Sequence, residues 1–373
     1  MRRLFRSCYA IAFALLLSNP ATNTFAHAQT AIPMRIALVG LVHGHTAGLL
    51  KFLPTHPEVT LVGIAEPDAA LREKYKELFH LPDSLFYTSE SELLDHTHPD
   101  AILVYTSPLA HRAAVEMAAR HHIASMVEKP FSTTLEDALA MQRASREYHV
   151  PVLVNYSTTW FPSNIEAADI LASGRIGDLR KIVVHDGHRG PKETGVSPEF
   201  FRWLTDPVEN GAGALFDFGC YGVDLTTWLM HGEMPLTVTA ITLHIKPDIY
   251  PKVDDDSTIL LTYPHTQAII QGSWNWPYDR KDMEIYGATG YVDTVKLNGL
   301  RVRLTGETDE TLRTAKPLSA PQDNPLSYLA AVLHGQIQNP DDLSGVDTNV
   351  KVMRILDAAR ESARTGRTIT IQP

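Results

Sequence analysis

Between residues 34 and 156, short runs rich in β-branched and other apolar residues ("RIALVG", "TLVGIAE", "AILVYT", "IASMVE", "VPVLVNY") alternate with amphipathic stretches such as "AALREKYKELF" and "TLEDALAMQRASREYH". Strands separated by whole helices cannot pair as hairpins. They lie parallel with right-handed crossovers, which predicts a doubly wound α/β sheet. Ligands on such a sheet bind at the carboxyl ends of the strands. After residue 156 the order changes: helical stretches "NIEAADILASG" and "ALFDFGCYGVDLTTWLM" precede five strand-like runs, from "LTVTAITLHI" to "LRVRLTG", with hairpin-length connections. This predicts an α+β domain with an open, mainly antiparallel sheet. Two helices close it, with Gly366 as the final stop. The expected organisation is 29–152 for the first domain and 153–373 for the second.

Residues 1–28 read as a signal peptide. Arg2, Arg3 and Arg6 form a basic start, "CYAIAFALLL" an apolar middle and "AHA" a cleavage site. The apolar run is too short to span a bilayer, so no membrane span is expected. Export to the periplasm is expected, by the general secretory route or, from "MRRLFR", the twin-arginine route. Cleavage removes three arginines and no acids, taking the net charge from −10 to −13. That balance argues against nucleic acid or anionic membrane as partner. Cys8 leaves with the signal and Cys220 remains alone, so no intrachain disulfide is expected.

The first strand ends in "GLVHGH", where a dinucleotide-binding chain carries G-x-G-x-x-G. Gly40 fits, Val42 and His45 stand where glycines belong, and Gly44 is displaced. The context is better than the motif: a strand precedes, a helix follows, and Glu66 ends the next strand in "GIAEPD", where a ribose-binding acid belongs. A carboxylate there repels a 2′-phosphate and favours NAD over NADP. Glu66 can equally be a solvated strand end. His43 and His45 are candidate donors to a pyrophosphate.

In "DFGCYGVDLTTW", Asp217, Tyr221, Asp224 and Trp228 share one face if the stretch is helical. Gly219 and Gly222 each cost about 1 kcal/mol against Ala in a helix, a cost carried where something approaches closely. Asp and Tyr one turn apart can exchange protons, but a Tyr base needs a cation nearby. Lys129 in "MVEKPF", at the ligand end of a strand, can supply it. "HDGHRGPKE" gathers His185, His188, Arg189 and Lys192, read as a basic loop for hydroxyl or carboxylate recognition. With no third ligand at fixed spacing and no H-E-x-x-H, no metal is expected. Trp274 and Trp276 in "GSWNWP" read as packing or as a stacking surface for a sugar.

The combination resembles the Gfo/Idh/MocA oxidoreductases over nearly the whole chain, from "RIALVG" and "GIAEPD" through "TSPLAH", "VEKPFSTTLEDA" and "GAGALFDFGCYGVDL" to "ESARTGRTITI". The resemblance implies a Rossmann domain binding NAD and a second domain whose sheet mediates homo-oligomerisation. It assigns Lys129 as the catalytic lysine, Asp217 as a substrate-binding acid, and Tyr221 to a position held by His or Tyr. Thr106 and Glu128 match positions lining the nicotinamide side, and His111 ends a T-P-x-x-x-H stretch that here is "TSPLAH".

Three functions are expected to compete. One is an NAD-dependent oxidoreductase acting on a secondary hydroxyl of a sugar, glycoside or cyclitol, with cofactor tightly retained. Another is an NAD-assisted glycosidase working by oxidation, elimination and re-reduction. The third is a non-catalytic periplasmic sugar-binding protein on a decayed cofactor fold.

Overall fold

The first strand, β1 (Met34–Val39), is buried everywhere except at Arg35, as a central strand covered on both faces must be. The computed structural model describes residues 33–338 and 342–371, so the expected signal peptide lies outside the described residues. The chain continues through α1 (Thr46–Phe52), β2 (Val59–Ala65), α2 (Ala69–Phe79), β3 (Phe86–Tyr87), α3 (Glu90–Thr97), β4 (Ala101–Val104), α4 (Pro108–Arg120), β5 (Ala124–Glu128), α5 (Leu135–Tyr148) and β6 (Val152–Asn155). All pairings are parallel, in the order β3-β2-β1-β4-β5-β6. This is the expected doubly wound sheet. Its strand order reverses between β1 and β4, which places a ligand crevice at Gly40 and Thr106. The helices start where short polar caps stand: Asp68, Ser89 and Thr134 each accept backbone N–H groups of the first turn. The strand β6 straddles the expected 152/153 boundary and runs to Asn155.

The second half comprises α6 (Pro162–Ala172), β7 (Leu179–Gly187), three short helices α7 (Pro191–Thr194), α8 (Pro198–Leu204) and α9 (Pro207–Asn210), then α10 (Ala214–Asp217) and α11 (Gly219–Leu229). It goes on with β8 (Thr237–Leu243), β9 (Asp256–Thr262), β10 (Gln267–Ser273), β11 (Arg280–Gly287), β12 (Tyr291–Val295), β13 (Gly299–Arg303), β14 (Thr311–Thr314), α12 (Pro325–Leu333), α13 (Val346–Thr365) and β15 (Ile369–Thr370). The strands form one sheet in the order β14-β13-β12-β11-β7-β10-β9-β8-β15, antiparallel except for β7 beside β10. One face buries Ile182, Val184, Ile259, Leu261, Ile270, Met283 and Ile285 under α6, α11 and α13. The other carries half-buried Val183, Leu260 and Ile269.

The expected helix over 214–230 is broken. Phe218 ends α10 and caps α11, so Asp217 leaves the face shared by Tyr221 and Asp224. Gly222 explains the close crossing: a Cβ there would lie 2.3 Å from Ile270 Cγ2. The closing helix α13 ties the two halves together. Asp357 Oδ2 accepts the Leu135 N–H of α5 at 2.8 Å, and Arg360 donates to the carbonyls of Thr133 and Gly211 at 2.8 and 3.2 Å.

Candidate active site

Gly40 ends β1 with φ +86°, and a Cβ there would stand 2.6 Å from Thr106 Cγ2; both the backbone and the space exclude other residues. The turn after it alternates. Leu41 and His43 point inward, 0% and 1% exposed, while Val42 and His45 face outward. Val42 is thereby tolerated: it lines a cleft wall, and its carbonyl accepts the Trp203 indole N–H at 3.1 Å. The cleft, about 480 Å³, crosses the carboxyl ends of β1, β2 and β4 from Glu66 and Glu90 to Thr106 and Ser107, roofed by Arg202, Trp203, Asp206 and Glu209.

Glu66 is no solvated strand end. Its two oxygens accept the N–H groups of Leu41 (2.8 Å) and Asp68 (2.9 Å), and burial raises its pKa. Each oxygen keeps a further acceptor site for a ribose hydroxyl, and a carboxylate in this place repels a 2′-phosphate. The Leu41 and His43 amides serve Glu66 and the Tyr105 carbonyl (3.1 Å). These donors are therefore committed to the loop itself. Glu90 contributes a buried Oε1 with no partner among the described residues. The cradle at Gly40, the ribose-ready acid and the unpartnered Glu90 fit an adenosine half with an unsubstituted 2′-hydroxyl.

His43 does not face this cleft. It is buried against Tyr105, Phe200 and Trp203, and burial lowers its pKa well below the usual value, leaving a neutral ring. His43, His45 and Glu128 gather ligand-type atoms within 4.8 Å of one another. However, His43 Nδ1 accepts the His45 N–H at 3.2 Å. The neutral ring then carries its proton on Nε2 and turns a donor, not a lone pair, toward Glu128. Glu128, 1% exposed, is held instead by hydrogen bonds, from the His45 ring (3.0 Å) and Asn155 Nδ2 (3.0 Å). Burial opposes its charge, but the imidazole of His45 prevails and brings it down to about 2. Gly44 lies under Phe200, 2.8 Å from where its Cβ would be.

Lys129, at the end of β5, is 4% exposed. Its Nζ donates to Asp217 Oδ1 at 2.5 Å and to the Asp217 carbonyl at 3.1 Å, while Asp217 Oδ2 accepts the Trp274 indole N–H at 2.9 Å. Burial opposes both charges, yet each overcomes it for the other: the carboxyl lies below its usual range and the ammonium well above. Tyr221, on α11, has Lys129 Nζ 5.0 Å and Lys281 Nζ 3.7 Å from its ring centre. Burial raises its pKa, partly offset by these two cations. All of these side chains but Trp274 line a second cavity of about 490 Å³, together with Asp186, His188, Asp279, Phe161 and Phe218. Phe200 lines this cavity and Trp203 the first, so α8 stands between the two. A dinucleotide lying on Glu66 must pass this helix for its other end to meet Lys129.

The remaining expected residues divide. Thr106 lines the first cavity, and His188 and His45 the second; His188 Nδ1 accepts the Gly190 N–H at 2.9 Å, and burial lowers its pKa. His185 is a correction. Alternation along β7 turns Asp186 to the site and His185 to the opposite face, where it meets Asp282 at 3.1 Å. Arg189 is exposed and lines neither cavity; its carbonyl accepts from Lys246. His111 is fully buried and lines neither. Its Nδ1 bonds the Phe131 carbonyl at 3.0 Å, and burial takes it down to about 4, so a neutral ring positions the turn after Lys129. Trp274 is 0% exposed and orients Asp217, which rules out stacking on a sugar. Asp186 and Lys281 of the second cavity and Trp203 of the first are lining residues that the sequence did not single out.

Comparison with known proteins agrees with this geometry. Residues 34–156 match the model of the Gfo/Idh/MocA oxidoreductase family, NAD-binding Rossmann fold, and residues 165–293 match the family's C-terminal domain. D-Apiose dehydrogenase of Rhizobium rhizogenes is 28% identical over 291 residues, 73% of this chain and 79% of that protein. Human trans-1,2-dihydrobenzene-1,2-diol dehydrogenase is 26% identical over 234 residues, 63% of this chain and 65% of its own length. Two solved structures share the fold: aldose–aldose oxidoreductase from Caulobacter crescentus complexed with glycerol (TM-score 0.76, 23% identity, 91% of this chain and all of that one) and an inositol dehydrogenase homologue from Azotobacter vinelandii complexed with NAD+ (0.77, 17%, 91% and 98%). With both family models matched and the lysine, acid and tyrosine assembled beside a dinucleotide crevice, the chain belongs to the Gfo/Idh/MocA family of NAD-binding oxidoreductases.

Proposed function

We propose that the protein is an exported enzyme that oxidises a secondary hydroxyl of a sugar or polyol with NAD and reduces a second such substrate with the same cofactor. The observation that carries the reading is the buried Lys129–Asp217 pair beside Tyr221 on the wall of a cavity rich in hydrogen-bonding groups. The relatives support the substrate class, since those named above act, by their names, on apiose and on a vicinal diol. NAD, when bound, accepts the hydride. Lys129, held ammonium by Asp217, stabilises the developing alkoxide, and Tyr221 takes the hydroxyl proton. Asp217 is engaged with both Lys129 and Trp274, so it acts by holding the lysine rather than by gripping a hydroxyl.

Export rests on the pattern of residues 1–28. Cofactor retention follows from it, because an exported enzyme meets essentially no free NAD. The α8 roof, pinned to the glycine loop by Trp203, supports retention. Homo-oligomerisation through the outer face of the nine-stranded sheet is supported by its apolar row. The test is to denature the purified protein and assay the supernatant for nicotinamide dinucleotide, then to offer the native protein D-apiose, D-glucose, myo-inositol and glycerol and follow NADH fluorescence. Stoichiometric NAD and bleaching by a keto-sugar are the expected results. Protein free of cofactor that binds added NAD only at millimolar concentration sinks the retained-cofactor cycle. Cleavage of a glycoside without net NADH change replaces it with the elimination mechanism.

A further inference from the structure

Tyr221 is buried, and burial keeps it a neutral phenol at rest. A proton it takes from a hydroxyl therefore has to be passed on. Lys281 Nζ, 3.7 Å from the Tyr221 ring centre, is also 3.4 Å from Asp186 Oδ2 and 3.2 Å from Ser157 Oγ. Lys281 and Asp186 are directly opposed in the β11–β7 register, on the face turned to the site. Asp186 is 2% exposed, and neither of its carboxylate oxygens has a hydrogen-bond partner among the described residues. A cross-strand ion pair that served stability alone would satisfy those oxygens, since leaving them unpaired is costly. Behind the pair lies a cavity of about 10 Å³ lined by Thr158, Asn164 and Leu225, room for one water.

We propose that Lys281 and Asp186 are the proton relay of Tyr221, with Asp186 the terminal acceptor during alcohol oxidation and the donor during reduction. The inference rests on the oxidoreductase reading and deepens it. Protons and charge balance along the path. One ammonium proton of Lys281 moves to Asp186, the Tyr221 phenol proton to the lone pair so freed on Nζ, and the hydroxyl proton to the phenolate oxygen so freed. Lysine and tyrosine end as they began, the carboxylate ends as the acid, and the C–H hydride goes to NAD. Groups facing Asp186 are Lys281 from β11, Lys129 from the end of β5, Asp217 from α10, and Cys220 and Tyr221 from α11. Burial, offset by the two lysines, leaves its carboxyl raised to about 7, so it gives and takes a proton near neutrality.

Ultraviolet difference titration of the NAD-loaded protein, with the Tyr221→Phe spectrum subtracted, reads this one phenolate without any substrate. Lys281→Met should move its midpoint up by at least about one pH unit, as loss of a cation at this range does; Asp186→Asn, which keeps the shape, should move it down. With a polyol that the wild type oxidises, Asp186→Asn should lower kcat at least about tenfold, within the general-base range. KM should stay unchanged, the rise in rate through about pH 7 should vanish, and Asp186→Glu should restore part of both. Midpoints that stay put in both variants overturn the relay, as does a limb near pH 7 that survives in Asp186→Asn. Shifted midpoints in a protein that oxidises no polyol sink the functional reading and leave the coupling of these three groups established.

Discussion

At the scale of single residues, the site is organised around one buried ion pair on the wall of its cavity. Removing one partner of such a pair strands the other charge, at a cost of about 3–5 kcal/mol. Asp217→Asn should therefore be among the most destabilising conservative changes in the chain, read by urea unfolding at pH 7. The sign of the pH dependence follows from the shifts. Asp217, depressed on folding, stabilises above its unfolded value near 4, and this is lost as pH falls through its lower folded value. Lys129, raised on folding, stabilises below its unfolded value near 10.4, and this is lost as pH rises through its higher folded value. The pair is fully effective between about pH 4 and about pH 10, and Asp217→Asn should flatten both limbs of the stability profile. An unfolding curve that keeps its acid limb shows that the stability comes from elsewhere. In turnover, Lys129→Ala and Tyr221→Phe should each lose at least about a hundredfold, the lower bound for a positioned base, while NAD binding measured by fluorescence persists. Near-wild-type turnover in either removes the chemistry assigned to it.

Among the elements, α11 and α8 carry the site, and both depend on contacts that local sequence does not spell out. Gly222→Ala drives a methyl into Ile270 and should cost about 1–3 kcal/mol by overpacking. Ile270→Ala should recover part of that loss, seen as a coupling term in a double-mutant cycle; additive losses would mean that the glycine serves the helix and not the crossing. Trp203→Phe removes one hydrogen bond to the loop, worth about 1 kcal/mol, and should release NAD about fivefold faster in a stopped-flow exchange with excess cofactor. An unchanged rate would show that α8 does not hold the cofactor in. What the sequence disclosed follows the same line. The parallel sheet, its order of strands and helices, Gly40, Glu66, Lys129 and Tyr221 were legible because alternation, strand ends and short motifs are local signals. The helices α7, α8 and α9 were missed although each opens with proline, with Ser197 and Asp206 capping the latter two, because they are short and lack a periodic apolar face. The sequence points to His185 rather than Asp186 because neighbouring residues of one strand differ only in the face they present, and the face is set by a partner strand far along the chain. Lys281 was invisible for that reason: it joins the site only through the pairing of β11 with β7.

For the molecule as a whole, the outer face of the nine-stranded sheet poses the remaining question. Its centre holds Val183, Ile269 and Leu260 side by side in register across β7, β10 and β9, and its β8 edge exposes Ile241 at 64% and Leu243 at 51%. Antiparallel sheets can leave one face to water, and the outward positions beside this row are polar: Lys181 and His185 on β7, Gln267 and Gln271 on β10, Thr258 and Thr262 on β9. An apolar row rimmed by polar residues has the make-up of an interface core and rim, and among the described residues the helices pack on the opposite side. The proposed partner is a second copy of the chain, packed sheet on sheet, which leaves both cavities at the far side of the domain open. Stable interfaces bury about 800 Å² per partner, so the contact should survive dilution to micromolar concentration in sedimentation velocity. Ile269→Asp with Leu260→Asp places two carboxylates in the middle of that surface without touching α11 or α13. The doubly substituted protein should sediment as a monomer and keep its NAD, because the cofactor cleft lies wholly within one chain. A wild-type protein that is already monomeric, or a substituted one that remains associated, would show that this face is covered by something else.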